Sequence, residues 1–186
     1  AEMAEALDKD DEAREFRQAA QRIRRATERH YWQRDPGYYA PAMSDLSGEL
    51  YGYPFANINL RPLWIGYGKS SEQRQVDNVL NSLAYLYRPK TGTARTTPAC
   101  EYYVGMTPGY LLSNLAALDH PEAERTLEGL LGAAEPSGGF AEMNTPDDLP
   151  SKEVWGLHRV RPWEGGINAS AVLQYLTGFE PDAPQR

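Results

Sequence analysis

The stretch "TPGYLLSNLAALDHPEAERTLEGLLGAA", residues 107–134, contains two helical segments joined by a turn. Thr107 and Pro108 are predicted to start the first helix, because the missing N–H of proline costs nothing in a first helical turn. Asp119 is predicted to cap the second helix, with Pro121 at its start. The stretch therefore predicts a helical hairpin, and the rest of the chain can be placed around it.

Four further segments have helical patterns. Residues 11–32 carry apolar side chains at three- and four-residue spacing, which predicts a long amphipathic helix. Residues 55–68 predict a short helix that is apolar on most faces and hence buried on most faces. An amphipathic helix follows within residues 70–89, with Ser71 as its cap, and a final apolar helix runs from about 167 to 176 and ends at Gly178. The apolar positions of the first segment are Ala13, Phe16, Ala20, Ile23, Thr27 and Tyr31.

The sequence predicts an all-α fold, because no strand pattern of any length competes with the helical ones; residues 90–98 are predicted to be a loop or a short strand. Amphipathic helices alternate with nearly all-apolar ones, as expected for an outer and an inner layer. Helical hairpins forming part of an (α/α)6 toroid have this layout, with loops that converge on a central funnel. Residues 1–186 are expected to form one region.

Composition excludes several classes of function. A net charge of −7 argues against a nucleic-acid partner, and no apolar run approaches the roughly 20 residues of a membrane span. The lone Cys100 excludes an internal disulfide and a cysteine-rich zinc site. His30, His120 and His158 lie too far apart for a metal-ligand motif, so neither a metal nor another cofactor is expected. Nothing in the sequence indicates a compartment.

The long loops favour an enzyme over a helical scaffold. Residues 38–53 and 136–163 are aromatic and glycine-rich, and long loops in compact domains are commonly functional. Twelve Tyr and four Trp against four Phe favour rings with a polar edge, which suit a carbohydrate cleft.

Four motifs together resemble the C-terminal half of six-hairpin glycosidases, the (α/α)6-toroid enzymes related in fold to glucoamylases and trehalases. They are "EALDKDDEAREFRQAAQRIRRATERHYWQRDPGYYAP" (5–41), "NINLRPLWIGYG" (57–68), "SGGFAEMN" (137–144) and "RPWEGGINASAVLQYLTG" (161–178). The resemblance implies a piece of a longer glycoside hydrolase, which acts on oligo- or polysaccharide by inverting acid/base hydrolysis. The remaining half of the toroid is then expected from the same or another chain.

The same resemblance assigns the catalytic residues. In glucoamylase-like members a Gly–aromatic–Ala–Glu turn carries the catalytic base, which implies that Glu142 is the general base. Glu164 is predicted to cap the last helix, to bind sugar hydroxyls or to be the base itself, with Arg161 as its ion-pair partner. The general acid is expected upstream of Ala1; Asp45 and Glu49 are the alternatives within the chain.

Further polar and aromatic residues are predicted to bind the sugar, with core packing as the alternative for each ring and the favoured one for Trp64. Two other functions remain open, namely a polysaccharide lyase or sugar epimerase on the same toroid and a non-catalytic helical interaction domain. The predicted sugar-binding residues are Tyr53, Asn57, Asn59, Arg61, Trp64, Arg161 and Trp163.

Overall fold

The chain is described by a computed structural model over residues 1–100, 102–145 and 161–178, and as a backbone strand over Glu153–Trp155. Helices make up about half of the protein and three small antiparallel sheets about a tenth. The predicted all-α class, with helical hairpins forming part of an (α/α)6 toroid, is therefore wrong, and the fold is a mixed α and β one.

Seven helices are described. Their bounds are α1 Glu2–Glu5, α2 Asp10–His30, α3 Ala56–Asn59, α4 Gln73–Leu86, α5 Thr107–Ala117, α6 Ala123–Ala133 and α7 Pro162–Thr177. The predicted helices at 11–32 and 107–134 are confirmed, and α7 ends as expected at Gly178, whose φ of 64° is easy for glycine. Only one turn of the apolar helix predicted within 55–68 is formed. Two predicted caps are wrong, since α4 follows Glu72 and α6 follows Glu122.

The described strands are short, with two or three residues each. They are β1 Trp32–Gln33, β2 Tyr38–Tyr39, β3 Tyr87–Arg88, β4 Thr93–Ala94, β5 Tyr103–Val104, β6 Met143–Asn144 and β7 Glu153–Trp155. β1 pairs with β2 and β3 with β4, while β5, β6 and β7 form a three-stranded antiparallel sheet in that order.

Two of the sheets are equivalent hairpins that directly follow a long helix. In each, two strand residues lead into four turn residues that end in a left-handed glycine, Gly37 at φ 68° or Gly92 at φ 68°. The glycine N–H donates to the carbonyl of the residue that precedes the turn, Gln33 or Arg88. Strands of two residues are too short to show a period-two pattern, which is why the sequence indicated no strand here beyond a loop or short strand within residues 90–98.

The core lies between α4, α5, α6 and α7. α5 is buried on nearly all sides, and Leu111, Leu112 and Leu115 are fully inaccessible to solvent. A helix with few polar side chains is expected to be buried on most of its faces.

The long helix α2 is packed differently from its prediction. Of its apolar stripe only Ala13 is buried, whereas the side chains of Phe16 and Ile23 are 51% and 66% exposed. The helix is attached to the body by polar contacts instead, with Arg24 bound to Glu72 at 2.7 Å. The amphipathic pattern therefore predicted the helix correctly and its buried face incorrectly. Among the described helices, none is both long enough and apolar enough to cross a membrane.

Candidate functional site

Two carboxylates share one guanidinium group at the start of α7. Nη1 of Arg161 donates a hydrogen bond to Oε2 of Glu142 at 2.5 Å. Nε of the same arginine lies 3.6 Å from Oε2 of Glu164. The first of these contacts joins Glu142 of the motif "FAEMN" to Arg161 of "RPWEGG", nineteen residues later in the chain. We call Glu142, Arg161 and Glu164 the carboxylate cluster.

Glu164 is the deeply buried member of this cluster. It occupies the first turn of α7, where the positive end of the helix dipole favours a carboxylate. The residue is fully inaccessible to solvent, and neither carboxylate oxygen accepts a hydrogen bond from the described part of the chain. It therefore makes no capping hydrogen bond there, and Arg161 is the cation that compensates a buried charge which would otherwise be costly.

Glu142 is the accessible member, with 28% of its side chain exposed. Its backbone position is fixed, since its carbonyl accepts a hydrogen bond from the Gly105 N–H at 2.8 Å and the next two residues form β6. A partly exposed carboxylate on a fixed backbone, paired with one arginine, is available to a ligand in a way that the buried Glu164 is not.

Gly105 and Asn168 hold the two carboxylates in register. A Cβ on Gly105 would overlap the Ala141 carbonyl oxygen and lie 3.0 Å from Cγ of Glu164, so only glycine fits between the two acidic segments. The buried Asn168 amide donates to the Gly105 carbonyl and accepts from the Gly109 N–H, both at 2.8 Å. These bonds attach α7 to the segment that leads into α5.

Trp163 lies beside the cluster as an exposed ring. Its side chain is 54% exposed, and the guanidinium carbon of Arg161 lies 4.4 Å from the ring centroid. This is a cation–π contact. Arg161 therefore connects both carboxylates to the exposed aromatic ring.

A concave surface, which we call the Arg61 groove, lies between α2, the β2 region and the α3 turn. It encloses about 370 Å³, within the range of small-molecule pockets. Its lining residues are Thr27, Tyr31, Tyr39, Ala40, Pro41, Asn57, Ile58, Arg61, Pro62, Ile65 and Tyr67. Two predicted sugar-binding residues, Asn57 and Arg61, are among them.

Arg61 also links the groove to the carboxylate cluster. Its Nε donates to the Tyr110 hydroxyl at 3.1 Å, and its Nη2 lies 3.8 Å from the Met106 sulfur. Met106 directly follows Gly105, which packs against Glu164. The two features therefore meet at the turn before α5.

Glu28 supports the back of the groove. Its carboxylate accepts hydrogen bonds from the hydroxyls of Tyr39 at 2.6 Å and Tyr67 at 3.2 Å, and from Arg74 at 2.5 Å. Burial raises the pKa of Glu28, but these hydrogen bonds outweigh it and hold the pKa below its ordinary value. Burial and the bond to Glu28 both raise the pKa of Tyr39, so its hydroxyl stays a donor.

Three predicted sugar-binding residues lie outside both features. Asn59 is fully buried, and its amide binds the Tyr39 carbonyl, Asn78 and the Phe55 N–H. Trp64 packs against the core, edge-on to Tyr110 at 5.1 Å between centroids. Tyr53 is exposed and lies edge-on to a neighbouring tyrosine. Their assignment to a sugar site stays a prediction that no contact of the structure supports.

The alternatives for the general acid lie in a solvent-exposed turn. Asp45 and Glu49 are both exposed, and the Glu49 carboxylate accepts from the Ser47 hydroxyl at 3.3 Å. Nδ1 of His120 accepts a hydrogen bond from the Glu122 N–H at 3.3 Å, just before α6 begins. His158 lies outside the described residues. Within those residues no group of three His, Cys, Asp or Glu side chains is placed to hold a metal.

Sequence reasoning missed the residues that position the site, namely Gly105, Asn168 and Glu28. One signal was available: Glu164, Asn168 and Ala171 are spaced i, i+4 and i+7, so two polar side chains lie on the buried face of an otherwise apolar helix. For Gly105 there was no signal, because the requirement comes from Ala141, a residue remote in sequence.

No protein-family model matches the chain, and no curated protein is significantly similar to it. Function is therefore inferred from the residues of the two features described above.

Proposed function

We propose that the chain is part of a glycoside hydrolase that acts on oligo- or polysaccharide by inverting acid/base hydrolysis, with Glu142 as the general base. The observation that carries this proposal is the pairing of the accessible Glu142 with Arg161, beside the exposed ring of Trp163 and a second, buried carboxylate. The resemblance of the "GGFAEMN" turn to the base-bearing turn of glucoamylase-like enzymes supports the same role.

The chemistry asks for a carboxylate that stays ionised and reaches a water molecule. In inverting enzymes one carboxyl protonates the leaving oxygen, and the other activates water on the opposite face of the sugar. Arg161 is paired with Glu142 at 2.5 Å and thereby orients its carboxylate. Partial exposure gives Glu142 access to water, so it suits the base.

Glu164 is a positioning residue in this proposal. It is buried too deeply to meet a sugar, and it lies 3.6 Å from Nε of the same guanidinium group. Its charge helps to hold Arg161 in place, and Arg161 in turn orients Glu142. The general acid stays a prediction and is expected upstream of Ala1.

Trp163 and the Arg61 groove are the proposed sugar contacts. An exposed indole ring provides a flat apolar surface for a pyranose face, while Asn57 and Arg61 provide hydrogen bonds in the groove. Carbohydrate is accordingly the proposed partner.

The proposal is tested by hydrolysis of a panel of neutral and acidic oligosaccharides by the natural protein that contains this chain. Glu142→Gln is expected to lower kcat by about a hundredfold or more with little change in KM, as expected for lost general base catalysis. The matched control is Glu124→Gln, an exposed glutamate in the first turn of α6, which should leave both constants unchanged.

Two results would overturn this assignment. Turnover by Glu142→Gln at the wild-type rate would make Glu142 structural. A wild-type protein without activity on every glycan of the panel would refute the glycosidase proposal as a whole.

A further inference from the structure

The Arg61 groove carries a single charge in a protein that is acidic as a whole. Of the residues that line it only Arg61 is charged, whereas the chain has a net charge of −7. A half-buried guanidinium in an apolar groove is costly without a counter-ion, because desolvation is not repaid by Coulomb attraction.

Arg61 is held in place without being neutralised. Its Nε binds the Tyr110 hydroxyl, its Nη2 contacts the Met106 sulfur, and its guanidinium carbon lies 5.3 Å from the Tyr110 ring centroid. These partners are neutral, and no ion pair joins Arg61 to a carboxylate of the described residues. Because a guanidinium has five N–H donors, most of its hydrogen-bonding capacity is left for a ligand.

Other arginines near the groove are neutralised. Arg24 binds Glu72 at 2.7 Å and Arg74 binds Glu28 at 2.5 Å. Glu28 lies behind the groove tyrosines and is engaged by Arg74, so it does not serve as the counter-ion of Arg61.

The rest of the groove fits a ring. Tyr31, Ile58, Ile65 and Tyr67 provide aromatic and aliphatic surface around the guanidinium. Oδ1 of Asn57, a residue of the groove lining, is buried and has no hydrogen-bond partner among the described residues, so a ligand donor that reached it would satisfy it. A volume of about 370 Å³ is enough for a single six-membered ring with its substituents.

We propose that the Arg61 groove binds a six-membered ring that carries a carboxylate. The carboxylate would pair with the unoccupied edge of the Arg61 guanidinium, the geometry that arginine recognises best. The ring would lie against the tyrosines. Two sources have this chemistry, a uronic acid unit of an acidic glycan and an aromatic acid. If the ligand is a uronic acid, acidic glycans are the substrate class of the proposed glycosidase. That part of the inference rests on the proposed function.

The test is direct binding to the 186-residue chain by isothermal titration calorimetry, with glucuronate, benzoate, glucose and inorganic phosphate as probes. At least one ring carboxylate is expected to bind tenfold or more tightly than glucose and phosphate. Preference for glucuronate identifies a uronic acid source, and preference for benzoate an aromatic acid. Equal binding of all four probes, or no binding of either ring carboxylate, overturns the inference. Because no turnover is required, this outcome is independent of the hydrolysis assay.

Three variants assign the binding to Arg61. Arg61→Gln is expected to weaken the binding of the ring carboxylate at least tenfold, and to weaken it more than it weakens the binding of glucose. Arg61→Lys should retain part of the affinity, since lysine keeps the charge but not the planar fork. Arg34→Gln, at an exposed position, is the matched control. Unaltered carboxylate binding by Arg61→Gln contradicts the inference.

Isotope labelling keeps the inference testable if Arg61→Gln does not fold. The chain has four isoleucines: Ile23, Ile58, Ile65 and Ile167. In wild-type protein with labelled isoleucine methyl groups, the ring carboxylate should shift the signals of Ile58 and Ile65 more than that of Ile23, which is not among the residues that line the groove. Shifts that spare both groove isoleucines would place the ligand elsewhere and overturn the inference.

Discussion

Gly105 allows the two acidic segments to pack closely together, because it has no side chain that would separate them. Its N–H binds the Glu142 carbonyl, and its Cα faces Cγ of Glu164. At the residue scale, therefore, the carboxylate cluster depends on a residue that carries no chemistry of its own.

We expect Gly105→Ala to destabilise the chain by about 1–3 kcal/mol, because the added methyl group overlaps backbone that cannot move freely. Urea unfolding measures the change. Gly166→Ala is the matched control with the opposite sign: it lies in α7 with open space around it and should stabilise by about 0.5–1 kcal/mol. Equal effects of the two substitutions would refute the packing described for Gly105.

Glu28 predicts a pH dependence of stability. Its pKa is lowered in the folded chain, mainly by the hydrogen bonds from Tyr39 and Arg74, which outweigh the effect of burial. A lowered pKa contributes stability that is present above the unfolded value of about 4.3 and is lost as the pH falls through the folded value. Between pH 5 and pH 3, the free energy of unfolding should fall more steeply in wild type than in Glu28→Gln. Parallel curves for the two proteins would show that Glu28 makes no such contribution.

At the scale of elements, one side chain hydrogen-bonds α7 to the start of α5, in addition to the apolar packing between the two helices. Asn168 is fully buried and bonds to Gly105 and Gly109 at 2.8 Å each. We expect Asn168→Ala to cost about 1–3 kcal/mol for the buried groups left without partners. The exposed Gln18→Ala on α2 should change stability by less than about 0.5 kcal/mol. Chemical denaturation of both variants checks this, and a cost for Asn168→Ala no larger than that of the control would contradict it.

The helices could be predicted from the sequence because their patterns are long. The 21-residue α2 repeats its apolar spacing four times, and α5 has few polar side chains. The strands could not be predicted from the sequence, because two residues such as Tyr38–Tyr39 show no periodicity. Their pairing follows instead from the turn that ends in Gly37. The fold class was therefore predicted wrongly, although most of the helices were predicted correctly.

Some residues of the candidate site could likewise be predicted from the sequence, and others could not. Glu142, Glu164, Arg161 and Trp163 could be selected from the sequence, since unusual glycine and tryptophan neighbours mark them, and the structure brings these four together. The role of Asn59 could not be foreseen. Its contacts to Tyr39 and Asn78 join segments that are separated by about twenty residues, and local sequence contains no trace of them.

At the scale of the whole molecule, stability is concentrated in the part of the fold that contains α4 to α7. Leu111 on α5 is fully buried, whereas Ile23 on α2 is 66% exposed. Leu111→Ala should cost about 2–5 kcal/mol and Ile23→Ala less than about 0.5 kcal/mol. Thermal or urea unfolding of the two variants would distinguish this from a core that includes α2, for which both substitutions would be costly.

The central claim is that Glu142 acts as the base of an inverting glycosidase, and rescue by a small nucleophile tests it most directly. In Glu142→Gln, azide would take the place of the water that needs the base, while the general acid still protonates the leaving oxygen. Nuclear magnetic resonance of the product identifies its anomeric configuration. If Glu142 is the general base, the product is a glycosyl azide of inverted configuration. A product of retained configuration, or wild-type hydrolysis with no azide product, would contradict it.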